Sequence, residues 1–325
     1  MSESIDNFSP AWWLPGPHAQ TLWSQFFRRR VPAISRVEPV PTPDGDTVFL
    51  HHSDAAAAGS RLLLLHGLEG SVRSHYVAGI FGLARLRGWN ASLLEFRGCG
   101  DELNRAPRLY HSGETTDLDT VVNHLTAVNP DQRLFLAGIS LGGNVLLKWL
   151  GENPAAVPRQ VMAAGAISTP FDLEAGARNL QRGFARVYDR HFLESLRNKA
   201  LRKLEQYPGM FDRGQLAAAR TIEDFDDAVT GPVHGFDGSH DYYTKSSSIR
   251  FLHDICKPTL LINSADDPFL PSTVLDAARQ IANSNANLRV CFTRDGGHVG
   301  FVGGLVPFRP SFWAEARLMA FFDSI

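Results

Sequence analysis

Cysteine is scarce: the 325 residues contain only Cys99, Cys256 and Cys291. So few, odd in number and widely spaced, they give neither a disulfide framework nor a zinc pattern, and they suit a reducing compartment. Charge of one sign is lacking too, because 32 Lys+Arg face 34 Asp+Glu for a formal net charge of −2. That balance excludes a global attraction to nucleic acid or anionic lipid, so any ligand must be recognised locally. No run of about 18 apolar residues occurs, which excludes an integral membrane segment. The start, Met1-Ser2-Glu3-Ser4-Ile5-Asp6, is acidic and polar where a secretory signal is basic and then apolar, so a cytoplasmic protein is expected. Repeats with a period of about 20 to 50 residues are absent, and the short run Ala55-Ala56-Ala57-Ala58 reads as a turn.

What is present is the composition of a large soluble domain, with 44% hydrophobic and 20% charged residues. From about Val48 short apolar runs alternate with amphipathic stretches of helical length, the pattern of βαβ units around a parallel sheet. Strands are expected at Val48–His51, Leu62–Leu65, Ala91–Glu95, Leu134–Ala137, Val161–Ile167, Thr259–Ile262 and Leu288–Thr293. Helices are expected at about Tyr76–Arg87, Thr115–Val128, Gly142–Leu150, Pro271–Ile281 and Pro310–Phe322. An all-apolar strand such as Leu62–Leu65 requires a sheet covered on both faces. From about Ser168 to Arg250 the rhythm stops. A charged helix over Arg178–Leu204 and aromatic, Gly-rich loops read as an insertion over the carboxyl edge of the sheet, the candidate lid. The expected organisation is one α/β domain over 1–325, with an N-terminal extension over 1–45 and the lid over about 168–250.

Gly138-Ile139-Ser140-Leu141-Gly142 follows a strand and opens a helix, the context of a nucleophile elbow. The sharp turn strains the central residue and leaves the Ser140 hydroxyl at the sheet edge, although a serine at this place can also merely cap the helix. A hydroxyl is a weak nucleophile and needs a base oriented by a third group. In hydrolases with such an elbow the acid follows a late strand and the histidine follows the last one. Thr259–Asn263 runs into Asp266-Asp267, and Asp295-Gly296-Gly297-His298 follows the final strand. The expected relay is Ser140, His298 and Asp267. Asp266, which could cap the turn, and Asp295, expected rather to hold the Gly296-Gly297 turn, are the alternatives to Asp267. The oxyanion hole is expected from the backbone N–H groups of Leu141 and of Leu68, the latter in His66-Gly67-Leu68-Glu69-Gly70 after Leu62–Leu65. No G-x-x-x-x-G-K-[ST] or G-x-G-x-x-G pattern supports a nucleotide there, and no cofactor is expected.

At these residues the chain resembles the α/β-hydrolase fold superfamily. Within it the chain is similar to the YheT-like family of hydrolases and esterases, through Trp13–Leu22, His66–Gly70, Phe96-Arg97-Gly98-Cys99, Tyr110–Thr115, Tyr242-Tyr243 and Asp266-Asp267-Pro268-Phe269. The resemblance implies a mostly parallel sheet with helices on both faces, a Ser140–Asp267–His298 relay and hydrolysis of carboxylic esters. Acyl lipids serve some relatives as substrates.

Other features carry less. His51-His52 cannot chelate one ion, because neighbouring strand residues point to opposite faces. Cys99 reads as a buried or turn cysteine. Trp12, Trp13, Leu22, Trp23, Phe26 and Phe27 precede Arg28-Arg29-Arg30; interrupted by Pro15 and Pro17, they are expected to pack on the core rather than lie on lipid, with peripheral lipid contact the alternative. Tyr188–Phe192 reads as a solvated helix face with core aromatics. The function expected is a carboxylic ester hydrolase for a small-molecule acyl ester. The alternatives are a thioesterase or amidase with the same relay, or an idle binding module.

Overall fold

The structure is a computed structural model and describes residues 8–28, 31–55, 59–307 and 309–325. Ala56–Ala58 of the expected turn, Arg29-Arg30 of the basic run and the acidic start lie outside the described residues. Eight strands form one sheet: β1 (Arg36–Pro41), β2 (Thr47–Ser53), β3 (Ser60–Leu65), β4 (Asn90–Glu95), β5 (Arg133–Ile139), β6 (Val161–Ile167), β7 (Thr259–Ser264) and β8 (Leu288–Thr293). Their order is β1-β2-β4-β3-β5-β6-β7-β8. The first two join antiparallel and the remainder run parallel. This is the α/β-hydrolase arrangement, a mostly parallel sheet with helices around it.

Leucine pairs show why the sheet is covered on both sides. Side chains alternate along a strand, and in β3 Leu63 and Leu65 enter one core while Leu62 and Leu64 enter the other. All four are fully buried, each worth roughly 1.5–3 kcal/mol relative to exposure. The first core is closed by α3 (Thr116–Val128), α4 (Leu141–Glu152) and α11 (Ser272–Ser284), through Val121, Val145 and Leu275 among others. The second is closed by α2 (Val77–Leu86) and α12 (Trp313–Asp323), through Ile80, Phe81, Leu318 and Phe322.

Three differences from the sequence reading have physical causes. The sheet begins at Arg36 rather than Val48, because β1 is an edge strand whose Pro39 and Pro41 need no partner on their open side, and it carries one buried side chain, Val40. The expected helix over Arg178–Leu204 is broken: α5 (Leu173–Leu180) stops, Gly183 adopts φ +48°, and α6 (Arg186–Gln206) starts anew. Pro15 and Pro17 do not interrupt the N-terminal segment but begin a helix, α1 (Gly16–Phe27), since proline is tolerated in a first turn. Leu14, Trp13 and Trp23 pack against Val302, while Trp12, Phe26 and Phe27 are exposed. Between β6 and β7 the described residues hold α5, α6, α7 (Arg213–Ala218), α8 (Ile222–Phe225), α9 (Gly231–His234) and α10 (Ser239–Ser246), with no strand among them.

Buried polar groups tie these elements together. Arg97 is held by both carboxylate oxygens of Asp117 at 2.6 and 2.8 Å and by Asp44 at 2.7 Å, joining the end of β4 to α3 and the β1–β2 turn. His66, fully buried, donates from Nδ1 to the Gly67 carbonyl at 2.8 Å and accepts the Phe96 N–H at Nε2 at 3.1 Å. Both nitrogens are occupied in the neutral form, and burial pushes the His66 pKa down to about 4. Burial lowers His234 likewise to about 4 and His75 to about 3. An unfolded histidine takes up its proton near pH 6.5, so stability is complete above that pH and is lost as pH falls from about 6.5 to about 4. Asp226 works the other way. Buried between the Thr230 and Tyr243 hydroxyls, its carboxyl is raised to about 7, so its contribution is lost as pH rises. The melting temperature is therefore expected to fall between pH 6.5 and 4.5, and Asp226→Asn, which removes the opposing group, to steepen that fall; a flat profile, or a shallower one in the variant, contradicts this.

Candidate active site

The strand order reverses around β3: β4 lies on one side and β5 on the other. Ligands of open α/β sheets bind at the carboxyl ends where the order reverses. The β3–β5 register sets Leu65 opposite Gly138, so the chain leaving β3 at His66-Gly67-Leu68 runs beside the chain leaving β5 at Ile139-Ser140-Leu141. The approach is tight. A Cβ on Gly67 would lie 3.2 Å from Ser140 Cβ, and one on Gly142 would lie 2.5 Å from the His66 carbonyl oxygen and 2.6 Å from that of Leu65.

Ser140 has φ +53° and ψ −120°, and although it occupies the N-cap position of α4 its hydroxyl makes no capping bond. Instead Ser140 Oγ lies 2.9 Å from His298 Nε2. His298 Nδ1 lies 2.8 Å from Asp267 Oδ2. The other Asp267 oxygen accepts the Phe269 N–H at 2.8 Å. The structure thus brings Ser140, His298 and Asp267 into one hydrogen-bonded line, with Asp267 at 5% and His298 at 8% exposure.

Asp266 does not point to the imidazole. Its Oδ1 accepts the Gly297 N–H at 2.9 Å and so anchors the turn before His298, while burial raises its pKa. Asp295 was expected to hold that turn, but its carboxylate pairs with Arg294 at 3.0 Å. Asp266 has the better geometry because β7 and β8 are neighbours and their ends face one another. The His298 N–H is held by Thr21 Oγ1 of α1 at 2.9 Å, and the Val299 N–H by Ser168 Oγ at 2.9 Å. Phe269 stacks on the imidazole with centroids 3.9 Å apart and planes 10° apart, and Tyr188 and Phe192 pack on Phe269. In this stretch Tyr188 is buried and Phe192 half-buried while Arg190 and His191 are exposed, a solvated face with core aromatics; Asp189 alone departs from it, buried with Oδ1 accepting the Ile222 N–H at 3.1 Å.

In the loop after β3, the Gly67 N–H donates to Tyr76 Oη at 2.9 Å, the Glu69 N–H to Tyr110 Oη at 2.8 Å, and the Gly70 N–H to the Gly67 carbonyl at 3.0 Å. The Leu68 N–H has no intramolecular partner among the described residues. Leu141 is the first residue of α4, where N–H groups have no helical partner. Leu141 follows Ser140 directly, and Leu68 follows Gly67, where an added Cβ would lie 3.2 Å from Ser140 Cβ. Cys99 is half-buried, with its thiol pushed up to about 12 by burial and Lys199 Nζ 3.4 Å away. Groups of three or more possible metal ligands are absent among the described residues.

Strain collects here. The non-glycine residues with positive φ among the described residues are Glu69, Ser140, Ser168, Val299 and Phe301. Three of them, Glu69, Ser140 and Ser168, follow the ends of β3, β5 and β6, and the other two lie in the His298 loop. Such conformations cost of order 1–3 kcal/mol each and persist where surrounding contacts over-determine them. Thr21, Phe269 and Tyr76 carry no role in the sequence alone, where the adjacency of Phe269 to Asp267-Pro268 is the one local hint.

The family model described as alpha/beta hydrolase fold matches residues 60–305. The chain is 39% identical over 306 residues to the Escherichia coli (strain K12) protein named "Putative esterase YheT", covering 93% of this chain and 88% of that one. It is 28% identical to the Homo sapiens protein "Phospholipase ABHD3", covering 93% of this chain and 75% of that one. A solved Pyrococcus furiosus esterase shares the fold, with TM-score 0.59 and 17% identity over 89% of this chain and 90% of that one. No helix of the described residues is long and apolar enough to cross a membrane.

The close approach of the two loops makes Gly142→Ala a test of the arrangement. The added methyl meets backbone rather than a movable side chain, and overpacking of this kind costs about 1–3 kcal/mol. A fall of that size in unfolding free energy in urea is expected; an unchanged midpoint contradicts it.

Proposed function

Since this chain belongs to the α/β-hydrolase family and is esterase-like in its YheT-like branch, we propose that it cleaves carboxylic esters of acyl groups through Ser140, His298 and Asp267. The observation that carries this is the unbroken line from Ser140 Oγ through both His298 nitrogens to Asp267, at 2.9 and 2.8 Å. His298 Nε2 takes the Ser140 proton as Oγ attacks the acyl carbonyl. Asp267 holds the proton on Nδ1 and stabilises the imidazolium. The carbonyl oxygen becomes an oxyanion that accepts the Leu68 and Leu141 N–H groups, each donor contributing about 3 kcal/mol to the transition state. Collapse passes the proton from His298 to the departing alkoxide and leaves an acyl group on Ser140. Water, deprotonated by His298, then attacks that acyl group, and collapse frees the acid as His298 returns the proton to Ser140 Oγ.

Both proposed oxyanion donors are backbone groups that no substitution of Leu68 or Leu141 themselves deletes, so the serine and histidine are the direct targets of substitution. An idle binding module has no use for the strained φ of Ser140, which is what the elbow costs the fold. The names of the relatives include a phospholipase and a monoacylglycerol lipase, which makes acyl lipids the first substrates to offer.

The test is labelling with a fluorophosphonate, which reacts with an activated serine whatever the natural substrate. An adduct on Ser140, absent in Ser140→Ala, is expected. Turnover of p-nitrophenyl esters should fall on the order of 10⁶-fold in Ser140→Ala or His298→Ala and by less in Asp267→Asn. An adduct on another residue overturns the site. Faster cleavage of a thioester or anilide than of the ester with the same acyl chain overturns the ester assignment.

A further inference from the structure

Glu69 stands out because it is strained, charged, mostly buried and not used by the chemistry just described. It follows Leu68 directly and has φ +53°. Its N–H donates to Tyr110 Oη at 2.8 Å, and the same hydroxyl donates back to Glu69 Oε1 at 2.7 Å, closing a ring that fixes backbone and side chain together. Lys199 Nζ donates to Oε1 and Ser195 Oγ to Oε2. The side chains of Glu69 and Lys199 are 11% and 10% exposed. Burial opposes ionisation of Glu69, yet Lys199, Ser195 and Tyr110 outweigh it and hold the carboxyl below its ordinary range.

Ser195 and Lys199 are four residues apart on α6 and share a face. Tyr188 and Phe192 lie on that same face at helical spacing, and they pack on Phe269, which covers His298. Leu68 packs its side chain against the Leu193 and Leu196 cluster of α6. One face of one helix therefore touches the loop carrying the Leu68 amide at one end and the aromatic wall of the imidazole at the other.

We propose that Glu69 is a positioning residue: clamped by Ser195 and Lys199, it aims the Leu68 N–H at the oxyanion, so the hole is complete only while α6 is seated. This rests on the hydrolase reading above and names how the helical insertion controls that site. Loss of the clamp leaves Ser140, His298, Asp267 and the ground-state acyl contacts in place but lets the donor drift, and a misplacement near 1 Å costs about a hundredfold.

The experiment compares wild type, Glu69→Ala and Lys199→Met on a p-nitrophenyl ester, with inhibition by a boronic acid whose tetrahedral Ser140 adduct fills the oxyanion site. In both variants kcat is expected to fall about ten- to hundredfold with KM within about threefold. The inhibition constant should rise in parallel with the loss in kcat/KM, as it does only for a contact made in the transition state. Should Lys199→Met fail to fold with its carboxylate unpaired, Glu69→Gln/Lys199→Met removes both charges and gives the same reading. Folded variants with wild-type kcat, or a lowered melting temperature with unchanged kcat and inhibition, overturn the clamp alone. A wild type that neither labels with fluorophosphonate nor turns over any ester, or whose activity survives Ser140→Ala, overturns the hydrolase reading and the clamp together.

Discussion

The carboxyl edge of the sheet depends on the pairing of β3 with β5 in the register that sets Leu65 opposite Gly138. From that pairing the chain after β3 and the chain after β5 leave the sheet side by side. A slip of one residue would turn every leucine of β3 to the wrong core and separate Gly67 from Ser140. The same core burial that makes the sheet stable thus fixes the spacing of the proposed nucleophile and the proposed oxyanion donors. Glycine at 67 and 142 is what lets two backbones come that near.

Around this fixed pair the other elements act as clamps on loops that would otherwise move. His66 ties the end of β3 to the end of β4 through its two ring nitrogens. Asp266, Thr21 and Ser168 each hold one backbone N–H of the His298 loop, and they come from the turn after β7, from α1 and from the residue after β6. The imidazole is thereby oriented by three distant parts of the chain before Asp267 contributes. Strained residues at the end of β5 and in the His298 loop are tolerable because so many contacts fix them.

How much of this was legible in the sequence follows from the range of the contacts. Apolar runs such as Leu62–Leu65 and Thr259–Ile262 announce buried strands by local composition, and the glycines around Ser140 announce a turn by local sterics. The chain order of Ser140, Asp267 and His298 is equally local, and the structure sets the three within hydrogen-bond reach. Two prolines hid the edge strand β1, because its pairing to β2 is a fact of position in the sheet. The break at Gly183 was masked by charged helix formers on either side. Thr21 acts on a residue 277 positions away, and Ser195 and Lys199 act on Glu69 from 126 and 130 positions away; no local pattern announces such pairs.

The central claim is that acyl transfer passes through Ser140, and the most direct measurement is to catch the acyl group there. Mixing the protein with excess p-nitrophenyl ester, quenching in acid within the first turnover and mapping the peptides by mass shows where the acyl chain resides. The account predicts one acyl group per chain, on Ser140, accompanied by one equivalent of released p-nitrophenol. Steady turnover with no acylated peptide, or with the acyl group on another residue, contradicts it.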